Sequence, residues 1–425
     1  MKYDLLIIGG GISGCIAAIN SAKLGLKTLL IEKNSFLGGS ATGSLVFPMM
    51  KNIQNSKSYE KLMNYLGKDA FIFKDGNIGW FNPEILKCKL DELCKNNGVE
   101  ILFDTIVSEC KKENNKILAA EIFSFGQKKE IKADYYLDTT GNADFAYLCG
   151  AKMLEGNEFQ SMTLRFIMAN INIEKFADFL EEIDPDSELS PVDRSSDQIH
   201  LSCAYTSDND CWKLKPVFEE AIKNGNLSKE NAQYFQIFTI PSQIGAIGFN
   251  CPRIYSEKQL NPLNNHDISY ALIQGRKQIL ELSNFVKKYF PGFEKSYISQ
   301  IAPMLGIRNS RQIEGKYILN EKDILTSKKY DDEAFCSNYP IDVHCYQKNG
   351  GKLIFASKND YYSAPIEIMQ SVSFDNLFAA GRCVSATYLA QASLRIMPNC
   401  ITMGENIAKY IADLKKRRER DSNPR

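Results

Sequence analysis

Residues 2–32 read KYDLLIIGGGISGCIAAINSAKLGLKTLLIE. Residues 3–8 form an apolar run of the length expected for a buried parallel strand. Gly9, Gly10, Gly11, Ile12, Ser13 and Gly14 follow at once, in G-x-G-x-x-G spacing. Residues 12–24 are rich in Ala and Ile and predict a helix closed by Gly25. Residues 27–31 predict a second strand, with Glu32 at its end. Each part has a physical role. Gly9 permits the tight turn, Gly11 lets a pyrophosphate approach the backbone, and Gly14 lets helix and strand pack closely. The helix N-terminus offers N–H groups and the positive end of its dipole to phosphate. Glu32 can accept hydrogen bonds from a ribose 2′-OH and 3′-OH, and its charge would repel a 2′-phosphate. Strand, glycine loop, helix and terminal acid in this order predict a dinucleotide-binding βαβ unit.

Just beyond it lies Gly38-Gly39-Ser40-Ala41-Thr42, a second glycine pair that implies backbone packed close to an extended ligand. Further on, residues 138–144 read DTTGNAD, 306–311 GIRNSR, 341–344 IDVH, 376–387 NLFAAGRCVSAT and 394–400 LRIMPNC. With the glycine motifs, these segments resemble, in order and over nearly the whole chain, the family of FAD-dependent oxidoreductases. Those are flavoproteins with a glutathione-reductase-like nucleotide fold, related to the fumarate reductase flavoproteins. The chain departs from the family pattern at Asn142, where Asp is usual, and at Asn309, where Glu is common. The resemblance implies an α/β fold: a Rossmann-like FAD-binding domain of residues 1–153 and 365–425, and a second α+β substrate or cap domain of residues 154–364. It implies non-covalent FAD held by Gly9, Gly11, Ser13, Gly14, Glu32, Lys33, Gly38, Gly39, Ser40, Thr140, Gly141, Gly381, Arg382, Arg395, Asn399 and Cys400, with backbone near Val107 against the adenine.

The C-terminal part also makes sense without the analogy. Residues 376–380 form an apolar strand ending at Gly381-Arg382, and Pro398 opens a helix that runs on through Met403, Ile407 and Ile411. The N–H groups of its first turn, around Asn399 and Cys400, suit negative charge on a reduced flavin. Both ends of the chain are thus expected to build one site. Between them, residues 83–97 read as a helix, 99–103 as a strand, and 106–137 as a β-meander with turns at Asn114-Asn115 and near Gly126-Gln127. Long helices are expected over 212–224 and 268–289.

Bulk properties narrow the partners. The 425 residues suggest about two domains. Net charge is zero, so nothing draws the whole molecule to nucleic acid or an anionic membrane. The basic cluster of Lys415, Lys416, Arg417, Arg418 and Arg420 reads as a solvated helix end. Twelve cysteines without a CxxC pair point to reduced thiols in a cytoplasm and away from flavin-dithiol chemistry or a metal site. No uninterrupted apolar run is long enough for a membrane span. A second G-x-G-x-x-G, and with it a dedicated NAD(P)H domain, is missing.

A bound flavin would carry the redox step, leaving the protein to bind, orient and supply charge or a proton. Arg382 and Arg395 are assigned to the cofactor's side. Arg308 and His344 are the candidates on the substrate side, a guanidinium to hold a carboxylate or developing enolate and an imidazole to move a proton. Their structural alternatives are an ion pair for Arg308 and Arg311 and a packed, hydrogen-bonded place for His344. Three functions fit: hydride transfer between FAD and a small molecule with an external electron donor or acceptor, which is preferred; an electron-relay subunit of a larger complex; and a tRNA-modifying flavoprotein, which the neutral charge disfavours.

Overall fold

The computed structural model describes residues 2–53, 56–72, 78–156, 158–207, 212–344, 351–355 and 360–422. The strand Lys2–Ile8 lies parallel to Thr28–Ile31 on one side and to Gln127–Asp138 on the other. Glu100–Leu102 extends the sheet beyond Thr28–Ile31. On the opposite side Gln127–Asp138 divides its partners. Its first residues pair antiparallel with Lys116–Ser124, and Tyr136–Asp138 pair in parallel with Leu377–Ala379. The second half of the first strand, Leu5 to Ile8, is apolar and buried without alternation because both of its faces are covered. Leu5 and Ile7 belong to the core that includes Cys15, Ile16 and Ile19 of the first helix. Leu6 and Ile8 pack with Ile122, Ile131 and Phe145.

The expected helix spans Ile12–Lys23 and ends as predicted. Gly25 takes a φ of +87°, and the Leu26 N–H reaches back to the Ser21 carbonyl at 3.0 Å. The meander has two-residue turns at Asn114-Asn115 and Phe125-Gly126. Phe125 and Gly126 both have positive φ, as a tight hairpin with right-handed twist requires, so the second turn sits one residue earlier than predicted. The C-terminal helix is Met397–Ser422 and lies against the first helix. A Cβ on Gly404 would stand 2.5 Å from the Ser13 carbonyl oxygen, so this glycine sets the close crossing.

Among the described residues a second, antiparallel sheet draws five of its six strands from residues 192–301, and the sixth, 166–169, is inserted near one edge: Val192–Asp193, His200–Thr206, Tyr234–Thr239, Ile247–Phe249, Phe166–Ala169 and Tyr297–Ile301 in spatial order. Phe176, Phe218, Phe235, Phe249, Phe285, Phe290 and Phe293 form one buried aromatic cluster beneath it. The long helix is Asn265–Tyr289; it starts three residues before prediction because the Asn264 side chain accepts the His266 and Asp267 N–H groups. The shorter one is Lys215–Lys223, since residues 212–214 form a turn closed by the Lys215 N–H on the Trp212 carbonyl. The loop after Gly39 joins the two sheets. Met304 N–H donates to the Gly43 carbonyl at 3.1 Å, Ser44 Oγ to the Leu305 carbonyl at 2.9 Å, and Arg165 Nη1 to the Leu45 carbonyl at 3.1 Å. Among the described residues no helix is long and apolar enough to cross a membrane.

Candidate functional site

The glycine loop is built from contacts that only glycine tolerates. A Cβ on Gly9 would lie 2.6 Å from the Thr139 carbonyl, and one on Gly14 would lie 2.1 Å from the Gly9 oxygen. Gly11 is different: a Cβ there would meet only the Thr139 oxygen, at 3.8 Å. No protein atom explains that glycine. Gly11 caps the helix without a side chain, and the first turn carries no acid, so the N–H groups there suit an anion. Glu32 is buried at the end of its strand. Its Oε2 accepts the Gly10 N–H at 2.6 Å, and its Oε1 accepts the Asn34 N–H and Nδ2 at 2.8 and 2.6 Å. A carboxylate has about four acceptor positions, so Glu32 shapes the loop and keeps capacity for a ribose hydroxyl. Lys33 is exposed, and Ser40 and Val107 are half-buried.

Distant motifs lock onto this loop. Thr139 Oγ1 donates to the Gly9 carbonyl at 2.6 Å. Asp138 is wholly buried and accepts the Thr140 N–H and Oγ1 and the Ala146 N–H at 2.7 to 2.9 Å. Burial pushes its carboxyl up, against those hydrogen bonds. Gly141 has a φ of +77°, and its carbonyl accepts Arg382 Nε at 2.7 Å. Arg382 also donates through Nη1 to the Ile307 carbonyl at 2.5 Å and through Nη2 to Asn142 Oδ1 at 2.7 Å. One guanidinium therefore ties three of the motifs together, all through neutral acceptors. Asn142 also accepts from Ser310 Oγ at 2.9 Å. Asn309 accepts the Gln160 N–H at 2.8 Å and donates to the Glu158 carbonyl at 2.7 Å, a double duty that a carboxylate in its place would not perform. Arg311 forms an ion pair with Asp144 at 2.6 Å and lies over the Tyr147 ring.

A second cluster gathers around residues 160–165. Thr163 forms antiparallel bridges to Arg253 and to Gly306, and the Ser161 N–H donates to the His344 carbonyl at 3.0 Å. Arg308 reaches across, its Nη1 donating to the Ser161 carbonyl and, at 2.9 Å, to Thr163 Oγ1. Arg253 Nη2 lies 3.0 Å from His344 Nδ1, and His344 Nε2 lies 3.0 Å from Asp342 Oδ2. An arginine can only donate, so Nδ1 is the acceptor and the imidazole proton sits on Nε2, facing Asp342. Arg395 Nη2 donates to the Asp342 carbonyl at 3.0 Å, and Tyr339 OH to Asp342 Oδ2 at 3.1 Å. Burial, then the charge of Arg308, holds His344 down to about 3, with Asp342 opposing, so the ring is neutral at ordinary pH. Asp342 is half-buried, and although desolvation opposes it, His344 and the arginines hold its carboxyl well below the usual range.

Residues 4–421 match the family described as FAD dependent oxidoreductase. The chain belongs to that family. The flavoprotein is similar to the mitochondrial dihydrolipoyl dehydrogenase of Schizosaccharomyces pombe, 28% identical over 147 residues that cover 33% of this chain and 28% of the relative. It is similar also to the thiamine thiazole synthase of Methanococcus vannielii, 30% identical over 153 residues, 33% of this chain and 57% of the relative. The matches thus span less than two thirds of either relative. Among solved structures, p-nitrophenol 4-monooxygenase PnpA from Pseudomonas putida DLL-E4 superposes with a TM-score of 0.52 at 10% identity, covering 98% of this chain and 81% of that one. That likeness concerns the fold.

FAD is the family's cofactor, and the residues present fit it: the space beside Gly11 is what a pyrophosphate needs, and Glu32 stands one strand away. Three expectations change. The pair Gly38-Gly39 packs on the glycine loop, Gly38 bridging Gly11 and a Gly39 Cβ falling 2.9 Å from Gly11 Cα, so these glycines first serve backbone-to-backbone contact. The Cys400 N–H already donates to the Ile396 carbonyl at 3.1 Å and is no open donor for a flavin. Arg395, assigned to the cofactor's side, shares Asp342 with His344. The Asn399 side chain bonds Asn52 and Ser337. Gly381, with a φ of +89°, lies against Ser13, where a Cβ would come within 2.9 Å of its Oγ. Sequence reasoning missed Thr139, Asn34, Arg165, Arg253 and Asp342 as functional candidates. Thr139 and Asp342 lay inside quoted motifs; Arg253 had no local signal beyond Pro252.

Proposed function

We propose that the flavoprotein transfers hydride between FAD and a small-molecule substrate, with an external electron donor or acceptor completing the cycle. Bound FAD supplies a two-electron carrier. The pyrophosphate is assigned to Gly9, Gly11, Ser13 and Gly14, the ribose to Glu32, and the adenine to backbone near Val107. Lys33, Gly38, Gly39, Ser40, Thr140, Gly141, Gly381, Arg382, Asn399 and the remainder of the Cys400 turn complete the proposed shell, while Arg395 stands with Asp342 and His344. The observation that carries the substrate side is the convergence of Arg308 and His344 on residues 161–163, one residue pair from the Arg165 contact to the loop after Gly39. In this reading Arg308 orients the substrate and His344 moves a proton at Nδ1. That nitrogen is capped by Arg253, so it becomes a base only when Arg253 lets go. Free thiols at the ten cysteines among the described residues support a reducing, cytoplasmic setting.

Arg308→Ala and His344→Ala are expected to keep FAD and a normal flavin spectrum, and to slow the flavin half-reaction about 100-fold, the usual scale for losing one charge stabiliser or proton-transfer group. Rapid mixing under anaerobic conditions, after a screen of donors and acceptors by flavin bleaching, measures this. Unchanged half-reaction rates return both residues to a structural role; loss of flavin moves them to the cofactor's shell.

A further inference from the structure

The short helix Asp144–Leu148 lies against the strand Ile106–Glu113. Cys149 caps that helix and is buried. Cys110 sits within the strand, packs on the same core as Cys149 and keeps part of its surface in solvent. The two side chains meet, the Cys149 thiol donating to the Cys110 sulfur. A held cation stands beside them: Lys112 Nζ donates to the Cys149 carbonyl at 2.5 Å and lies 5.5 Å from the centre of the Phe374 ring. The Cys149 hydrogen bond, then the charge of Lys112, pull the Cys110 thiol down against its partial burial. The same hydrogen bond, with burial, pushes Cys149 up. Other thiols also pair, but without access. Cys15 shares a hydrogen bond with Cys94, and Cys203 stands near Cys251, yet none of these four is more than 1% exposed. A thiol with lowered pKa, open to solvent and next to a second thiol, has the surroundings of a redox-reactive cysteine.

We propose that Cys110 and Cys149 form a reversible disulfide, Cys110 being the thiol that reacts with hydrogen peroxide and Cys149 the thiol that resolves it. The Cys110 thiolate attacks one peroxide oxygen, the O–O bond breaks, hydroxide leaves, and Cys110 becomes a sulfenic acid. The Cys149 sulfur then attacks the Cys110 sulfur, and the S–S bond forms as the sulfenic oxygen leaves as water with the Cys149 proton. The hydroxide takes up the proton that Cys110 had released. Two thiols lose two electrons in total, and one peroxide is reduced to two waters. An external dithiol reverses the bond by exchange. A reducing compartment is compatible with such a site, because disulfides there are transient and redox-sensing. The inference does not depend on the proposed hydride transfer. The bond would fasten the meander to the helix whose Ala146 N–H binds Asp138, next to the Thr139 that holds Gly9.

The test uses the full-length, FAD-loaded protein, reduced and then freed of reductant. Limiting iodoacetamide compares Cys110 with the exposed Cys88 of the same chain. Cys110 should alkylate faster although it is less exposed, and Lys112→Met should slow it about threefold, the scale for losing one charge at the surface. Stoichiometric hydrogen peroxide, then N-ethylmaleimide and peptide mapping without reduction, should give a Cys110–Cys149 cross-link that dithiothreitol removes. Cys149→Ser should instead leave a sulfenic acid at Cys110 that dimedone labels. Mapping of the unaltered chain carries the test if that variant does not fold. The proposal is overturned if Cys110 alkylates no faster than Cys88, if peroxide leaves both cysteines open to N-ethylmaleimide, or if Cys110 pairs as readily with a cysteine other than Cys149.

Discussion

At the scale of single residues, Gly11 and Glu32 carry the sharpest expectations. Gly11→Val should abolish FAD binding while leaving the fold intact, because its Cβ enters space that no protein atom occupies; flavin content after gel filtration checks it. Glu32→Ala should weaken FAD by about 1–3 kcal/mol, the scale for hydrogen bonds to a charged group. Part of that loss will come through the loop, since Glu32 also holds the Gly10 and Asn34 N–H groups. FAD affinity equal to wild type would remove the ribose from Glu32. His344 gives a pH prediction. Its imidazole is held down to about 3 in the folded protein, whereas the unfolded chain takes a proton near pH ~6.5. The unfolded state therefore binds more protons between those values, and stability falls on acidification through that window by up to about 1.4 kcal/mol per pH unit. Asp342 adds its own loss only below about pH 4. His344→Gln should flatten the slope between neutral pH and about pH 5. Urea unfolding across that range measures it, and parallel curves for the two proteins would mean that His344 is not held neutral.

At the scale of elements, the legible parts were those whose signal is local. The glycine spacing, the apolar run that fills residues 5–8 and the acid at the second strand's end each act within about thirty residues, so the first βαβ unit was readable almost to the residue. Arg253 was not readable, because its importance lies in meeting His344 ninety-one positions away. Asn376 is a similar case: its side chain holds Ile117 through paired bonds of 2.9 Å across 259 positions. Gly404 looked like any small residue in a helix until the crossing with Ser13 gave it a reason. Gly404→Leu should destabilise the protein by about 1–3 kcal/mol through overpacking at that crossing; thermal unfolding checks it, and an unchanged melting temperature would mean the helices part easily. Arg382→Met should act more widely, leaving the Gly141 and Ile307 carbonyls and the Asn142 amide without their donor. Loss of both melting temperature and FAD is expected, and retention of both would remove Arg382 from the joint between motifs.

At the scale of the whole molecule, the parallel sheet takes strands from both ends of the chain, while the antiparallel sheet is made from the middle. Deleting residues 365–425 should therefore remove FAD binding although Gly9 to Glu32 remain. It takes away the strand beside Tyr136–Asp138 and the helix against Ile12–Lys23. A stable truncated protein with one FAD per chain would contradict this. The same pairing bears on synthesis. While the ribosome is still making the middle of the chain, Gln127–Asp138 can already pair with Lys2–Ile8, yet the far edge of its last three residues must wait for Leu377–Ala379, some 240 positions later. An open strand edge of that kind invites wrong partners. The nascent flavoprotein thus passes through a long interval in which its half-made sheet keeps an unpaired edge, and that edge closes only once Leu377–Ala379 has been made.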